Sequence, residues 1–226
     1  MDAGNALWSN QQPAAETEGK LVVEAMNVMG YDAMVIGDLD LQLAPDVLRQ
    51  RIADAQFPIL SANLKTPADD TLLAQPYAIL EVGDRTAGII GLTWDSAAVS
   101  ADQYVLLNAE EALAQYAREL QEQTDIIIVL SNMGAEEDMR LSSQVSGIDL
   151  IVGGRSREAM PQGWRNEQTG TILVQAGAQG QWVGRRQLHL DSEGTVTDYS
   201  DELLLLTDEY ADDPQIRSLL DSYAVQ

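Results

Sequence analysis

Apolar residues recur with a helical period between Glu18 and Met29, at Leu21, Val22, Ala25, Met26, Val28 and Met29. Gly30 then stands where a left-handed residue closes such a helix. The short apolar run from Asp32 to Ile36 reads as a buried strand that delivers Asp38, Leu39 and Asp40 to a strand-end loop. Pro45 suits the first turn of a helix running through Leu48 and Ile52 to about Ala55, and Phe57 to Asn63 is strand and loop again. Tyr77 to Trp94 predicts a hairpin about a three-residue turn, Gly83-Asp84-Arg85. Asn108 is placed to cap a helix ending near Gln123, and Asp125 to Leu130 is a continuous apolar run of the kind buried on both faces.

Beyond it the pattern predicts a helix over 135–145, a strand over 148–152 that ends at Gly153-Gly154-Arg155, and a strand from Thr171 to Gln175. A glycine-rich loop, a β pair over 183–190 and 195–206, and an acidic helix over 214–223 follow. Strands and helices alternate in the first two thirds and strands dominate the last. With no internal repeat or low-complexity linker, the expectation is one α/β domain over 1–226.

The 226 residues are 45% hydrophobic, enough for a large core. A formal charge of −23 repels nucleic-acid phosphates and anionic headgroups, so neither nucleic acid nor membrane is an expected partner. No window reaches the roughly 20 apolar residues of a membrane span, and the polar start Met1-Asp2-Ala3-Gly4-Asn5 does not read as a signal peptide. The absence of cysteine removes disulfides, thiolate nucleophiles and thiolate metal sites. The one histidine, His189, lies in a late strand away from every motif, so a centre built on several imidazoles is excluded. The tryptophans Trp8, Trp94, Trp164 and Trp182 sit in or beside loops and read as local packing anchors. The acidic stretch Asp208–Asp213 lacks the alternating spacing and glycine of a calcium loop.

Several segments, in order, carry a resemblance: Asp2-Ala3-Gly4-Asn5, Gly30–Asp40, Phe57–Asn63, Val129–Gly134, Gly147–Arg157, and the late Val174–Gly177 and Gly180–Arg185. Together they resemble the N-terminal domain of 5′-nucleotidase-type metallophosphoesterases of the calcineurin-like superfamily. The resemblance implies a four-layer α/β/β/α sandwich and a site for two divalent metal ions at the strand ends. It also implies a periplasmic or extracellular location, a first strand upstream of residue 1 that carries an Asp-x-His motif, and a C-terminal nucleotide-specificity domain that this chain lacks.

At the positions that match the family's motifs, the chemistry differs. The bridging Asp is Asn5, and Asn-His-Glu has become Asp38-Leu39-Asp40, with Leu39 in place of the catalytic histidine. The His of Ser-His-x-Gly is Asn132, and both histidines of Gly-His-x-His are arginine, Arg155 and Arg157. Guanidinium offers a metal no lone pair, and one such charge about 5 Å from a dication costs roughly 6–7 kcal/mol at an effective dielectric near 20. The expectation is therefore a vestigial pocket of Arg155, Arg157, Asn132, Asp38, Asn5 and Asp40, with no bound metal, in a pseudoenzyme kept as a binding or structural module. Leu39 is read as a packing residue, and Asn5 and Asn132 as partners of strand-end backbone groups. Arg155 and Arg157 either pair with Asp38, Asp40 or Asp2, or form a site for phosphate or another small anion. The remaining alternative is an active phosphomonoesterase of nucleotide catabolism, of which this chain is a fragment. Self-association, or contact with a segment of a longer parent chain, is the expected way to fill the missing strand position.

Overall fold

A computed structural model of the protein describes residues 1–68, 70–96, 101–191 and 194–224. Helix α1 (Lys20–Met29) ends on Gly30 at φ +70°, as its sequence requires. Its buried stripe is Leu21, Val23 and Met26; Val28 and Met29 are exposed, which narrows the face read from periodicity. β1 (Met34–Val35) and β2 (Ile59–Leu60) form a parallel pair, joined by α2 (Pro45–Asp54) with its proline in the first turn. Asp2 lies beside β1 as a further strand position, bridging to Met34. Both strands are shorter than their apolar runs, because only two residues of each complete the ladder.

The chain continues through β3 (Leu64–Lys65), β4 (Tyr77–Val82), β5 (Arg85–Leu92) and β6 (Val105–Leu106). β3 pairs with β6, two elements the apolar pattern does not reveal. The β4–β5 turn has two residues, not three, since Val82 faces Arg85 across the ladder. Gly83 takes φ +67° at its first position, where a side chain would be strained. Next come α3 (Ala109–Leu120), β7 (Ile126–Ser131), α4 (Ala135–Gln144) and β8 (Leu150–Gly153). Asn108 caps α3 by accepting the Glu111 N–H at 3.1 Å. β9 (Trp164–Arg165), β10 (Ile172–Gln175), the hairpin β11 (Trp182–Leu190) and β12 (Val196–Leu205), and α5 (Pro214–Ala224) complete the fold. Trp164 and Trp182 are therefore strand residues. His189 is exposed on β11 opposite Asp198.

Six strands form one sheet in the order β4-β5-β7-β8-β10-β9, with β5, β7, β8 and β10 parallel and an antiparallel strand at each edge. The strand period of two divides its side chains between two cores. Ile89, Ile128, Leu130, Leu150, Ile172 and Val174 face inward against Ala33, Val35 and Leu60 of the β1–β2 layer and Val196 of the hairpin. Ile90, Leu92, Ile127, Val129, Ile151 and Leu173 face outward against Leu113, Ala117 and Leu120 of α3 and Leu141 of α4. The opposite face of β1–β2 is covered by Val23 and Met26 of α1 and Leu48 of α2. These three cores separate four layers, α/β/β/α, the architecture expected from the sequence. No helix among the described residues is long and apolar enough to cross a membrane.

Candidate functional site at the strand ends

Residues 3–5 and the loops after β1, β7 and β8 meet at the carboxyl ends of the strands, where open α/β sheets place their chemistry. Two glycines permit the approach. A β-carbon on Gly37 would lie 2.1 Å from Asn5 Oδ1, and one on Gly4 would lie 2.9 Å from the Gly37 Cα. Asn5 itself is held at φ +66°, in the left-handed region that asparagine tolerates better than most side chains.

Asp40 sits beneath this junction, fully buried. Its Oδ1 accepts the backbone N–H of Leu7 at 2.8 Å and of Trp8 at 3.1 Å, while Oδ2 accepts that of Asn5 at 3.0 Å and of Gly37 at 2.9 Å. Burial raises its carboxyl to about 6 against the downward pull of these four donors. Asp40 thus binds the loops together and does not line a pocket, which corrects its place in the expected site.

Asp38 occupies the centre. Its backbone N–H donates to Asn132 Oδ1 at 2.8 Å, and its Oδ1 accepts Asn5 Nδ2 at 3.0 Å. Asn5 Oδ1 accepts the Leu39 N–H at 2.8 Å, and Asn132 Nδ2 reaches the Ala3 carbonyl at 3.4 Å. Both asparagines therefore serve backbone groups, as their sequence positions suggested. Arg155 approaches from the β8 end, with Nε 3.5 Å from Asp38 Oδ2 and the guanidinium carbon 4.6 Å from the centre of the Trp94 ring. Nε is the one guanidinium nitrogen of Arg155 with a hydrogen bond among the described residues.

Two further expectations change. Arg157 is exposed, held at φ +59° in the tight turn after Gly154, and makes no ion pair among the described residues. Leu39 is half-buried and, among the described residues, lies in none of the three hydrophobic cores.

Behind Arg155 lies a polar cluster that sequence reasoning missed. Ser131 Oγ donates to Asp138 Oδ1, and burial raises the Asp138 carboxyl to about 7. Gln175, also buried, directs Nε2 to Ser156 Oγ at 3.4 Å, and Ser156 Oγ accepts the Ala135 N–H at 2.7 Å. Trp94, Ser131 and Gln175 each stand at or just past the end of a strand in the six-stranded sheet, and Ser131 and Gln175 also fall within the segments Val129–Gly134 and Val174–Gly177. Among the described residues, no three histidine, cysteine, aspartate or glutamate side chains gather as a metal-binding group.

No protein-family model matches the chain. Individual proteins do. It is 28% identical to the trifunctional nucleotide phosphoesterase protein YfkN of Bacillus subtilis, over 99% of this chain and 18% of that protein. It is 27% identical to bovine 5′-nucleotidase, over 100% of this chain and 44% of the relative. Its structure superposes on a 5′-nucleotidase precursor from Thermus thermophilus with a TM-score of 0.89 and 27% identity, over 99% of this chain and 48% of that one. The chain thus spans less than half the length of each of these relatives. Sequence and architecture together match it to the N-terminal, metallophosphoesterase domain of 5′-nucleotidase-type proteins.

Proposed function

We propose that this domain is a non-catalytic member of its kind, in which an internal ion pair takes the place of a metal centre and the scaffold serves as a binding or structural module. One observation carries the reading: the Arg155 guanidinium stands on Asp38, the carboxylate at the centre of the site. A cation of this protein's own is thus paired with the carboxylate that a metal here would call on.

The rest of the donor set supports the reading. Two dications that clamp a phosphate need several carboxylate or imidazole ligands with free lone pairs. Asp40 uses both oxygens on backbone N–H groups, and the side-chain oxygens of Asn5 and Asn132 accept backbone N–H groups as well. Leu39 offers no proton to a leaving group. These residues do not fit a dinuclear centre. The test is turnover of a generic phosphate ester by the purified chain with added manganese or zinc. The reading expects a rate indistinguishable from the metal-only blank, and metal-dependent turnover overturns it in favour of an active phosphomonoesterase.

A second reading rests on the exposed edge of Arg155. With Nε on Asp38 and one face on Trp94, the terminal nitrogens make no hydrogen bond among the described residues, and a guanidinium edge suits a small oxyanion such as phosphate. Phosphate or sulfate then raises the melting temperature of the native chain but not of Arg155→Ala. An equal response of the two proteins rejects it. By the same resemblance we place the protein in the periplasm or outside the cell, which fractionation of the source cells tests.

A further inference from the structure

The hairpin β11–β12 keeps the alternation of a half-buried antiparallel pair along most of its length. Leu188 and Leu190 turn inward with Val196 and Tyr199. The opposite face carries the cross-strand pairs Arg185–Glu202, Gln187–Ser200 and His189–Asp198, all polar. At the open end the alternation fails. Leu203, Leu204, Leu205 and Leu206 follow one another, so both faces of the strand are apolar there. Val183 faces Leu204 across the ladder, and Leu206 comes next on the same face, its N–H bonded to the Gln181 carbonyl at 2.9 Å. Val183 and Leu206 are each 46% exposed, and Tyr210 just beyond them is 57% exposed. Among the described residues, no further strand pairs with either side of the hairpin. Contiguous exposed apolar side chains on a strand of this kind mark an interaction surface.

We propose that the open end of this hairpin docks a basic segment of another protein, whose apolar side chains seat on Val183, Leu204 and Leu206. Charge selects that occupant. From Asp198 to Asp213 the chain has seven acidic residues and no lysine or arginine. Asp201, Glu202 and Asp212 are paired with Arg186, Arg185 and Arg217, and Asp213 accepts the Gln215 and Ile216 N–H groups. Asp208 and Glu209, between Leu206 and Tyr210, are exposed and make no ion pair among the described residues. The apolar centre is thus bounded on one side by uncompensated carboxylates and on the other by the Arg185–Glu202 pair, which adds no net charge.

A second copy of the chain fits this surface poorly. A two-fold interface would set the carboxylates against themselves, on a chain whose formal charge is −23. A segment bearing lysine or arginine makes the same apolar contacts with attraction in place of repulsion, and the acidic field speeds its approach.

The test uses the full chain and a synthetic peptide of alternating lysine and leucine, with lysine–serine and glutamate–leucine peptides of equal length beside it. Amide shifts in NMR spectra locate the binding, and titrations give the affinity. The lysine–leucine peptide is expected to bind at least about tenfold more tightly than either of the others. The shifted amides should centre on residues 181–185 and 203–210, and affinity should fall as salt rises. Val183→Thr combined with Leu206→Thr should weaken binding by about tenfold or more, and Asp208→Asn combined with Glu209→Gln severalfold. No binding of the lysine–leucine peptide, equal binding of the lysine–serine peptide, shifts centred elsewhere, or an affinity indifferent to either double variant overturns the proposal. So does a wild-type chain that sediments as a dimer and becomes monomeric in the threonine variant, since a second copy then covers the patch. Should the threonine variant fail to fold, the Asp208→Asn, Glu209→Gln variant and the peptide comparison decide alone. Neither metal nor phosphate enters the measurement, so a negative result leaves the reading of the Arg155–Asp38 pair untouched.

Discussion

Arg155 lies over the ring of Trp94, its guanidinium carbon 4.6 Å from the ring centre, and this contact fixes the face from which Arg155 meets Asp38. The stack does for orientation what the long 3.5 Å ion pair does weakly, since Arg155 is 37% exposed and solvent screens its charge. A double-mutant cycle of Trp94→Ala and Arg155→Ala, followed by urea unfolding, is expected to give a coupling energy of about 0.5–1 kcal/mol. Additive effects would show that the two side chains are neighbours without a shared role.

Asp40 is expected to be the most sensitive residue of the junction. Asp40→Ala strands four backbone N–H groups, of which those of Leu7 and Gly37 are fully buried and cost about 1–3 kcal/mol each when left unpaired. A loss of at least about 3 kcal/mol in unfolding free energy is predicted, with Asp40→Asn losing less because its amide oxygen still accepts. A neutral Asp40→Ala would contradict this account of how residues 5–8 are tied to the loop after β1.

Gly37→Ala is expected to destabilise the site without touching its charges. The added methyl would meet Asn5 Oδ1 at 2.1 Å and the Asn5 nitrogen at 2.3 Å, so the two loops must separate. Overpacking of this kind costs about 1–3 kcal/mol, and the amide signals of Asn5 and Leu39 should shift together in the variant.

Much of this organisation is legible in the sequence, because it depends on local chemistry. Gly30 ends α1, Pro45 opens α2 and Asn108 caps α3, each through interactions within a few residues. The meeting of Asn5, Asp38 and Asn132 is readable only from the ordered motifs, since nothing local joins positions so far apart. Asp40 misleads because an acidic residue in a strand-end loop looks like a ligand, and only the fold reveals the four N–H groups around it. Trp94 reads only as a packing anchor and Gln175 only as a strand end, because their partners, Arg155 and Ser156, lie on other loops.

Stability should depend on pH in opposite senses on the two sides of a weakly acidic optimum. Asp138 and Asp40 have folded values of about 7 and about 6, above the usual 3.8. Their contribution is therefore full below pH 4 and is lost as pH rises through 6 and 7. Asp125 behaves oppositely, held at about 2 first by the Thr86 N–H and then by Arg85, so its contribution is lost as pH falls from 4 towards 2. Melting temperature measured across this range should peak near pH 4, and Asp138→Asn should flatten the decline above the peak by an amount on the order of 4 kcal/mol. A melting temperature that climbs steadily from pH 5 to pH 8 would contradict these assignments.

Whether a guanidinium stands in for divalent ions beside Asp38 is asked most directly by elemental analysis after equilibration with excess manganese or zinc and exhaustive dialysis. The proposed replacement predicts a chain that retains far less than one ion per molecule. Retention of about two ions per molecule, the content of a dinuclear hydrolase, would contradict it.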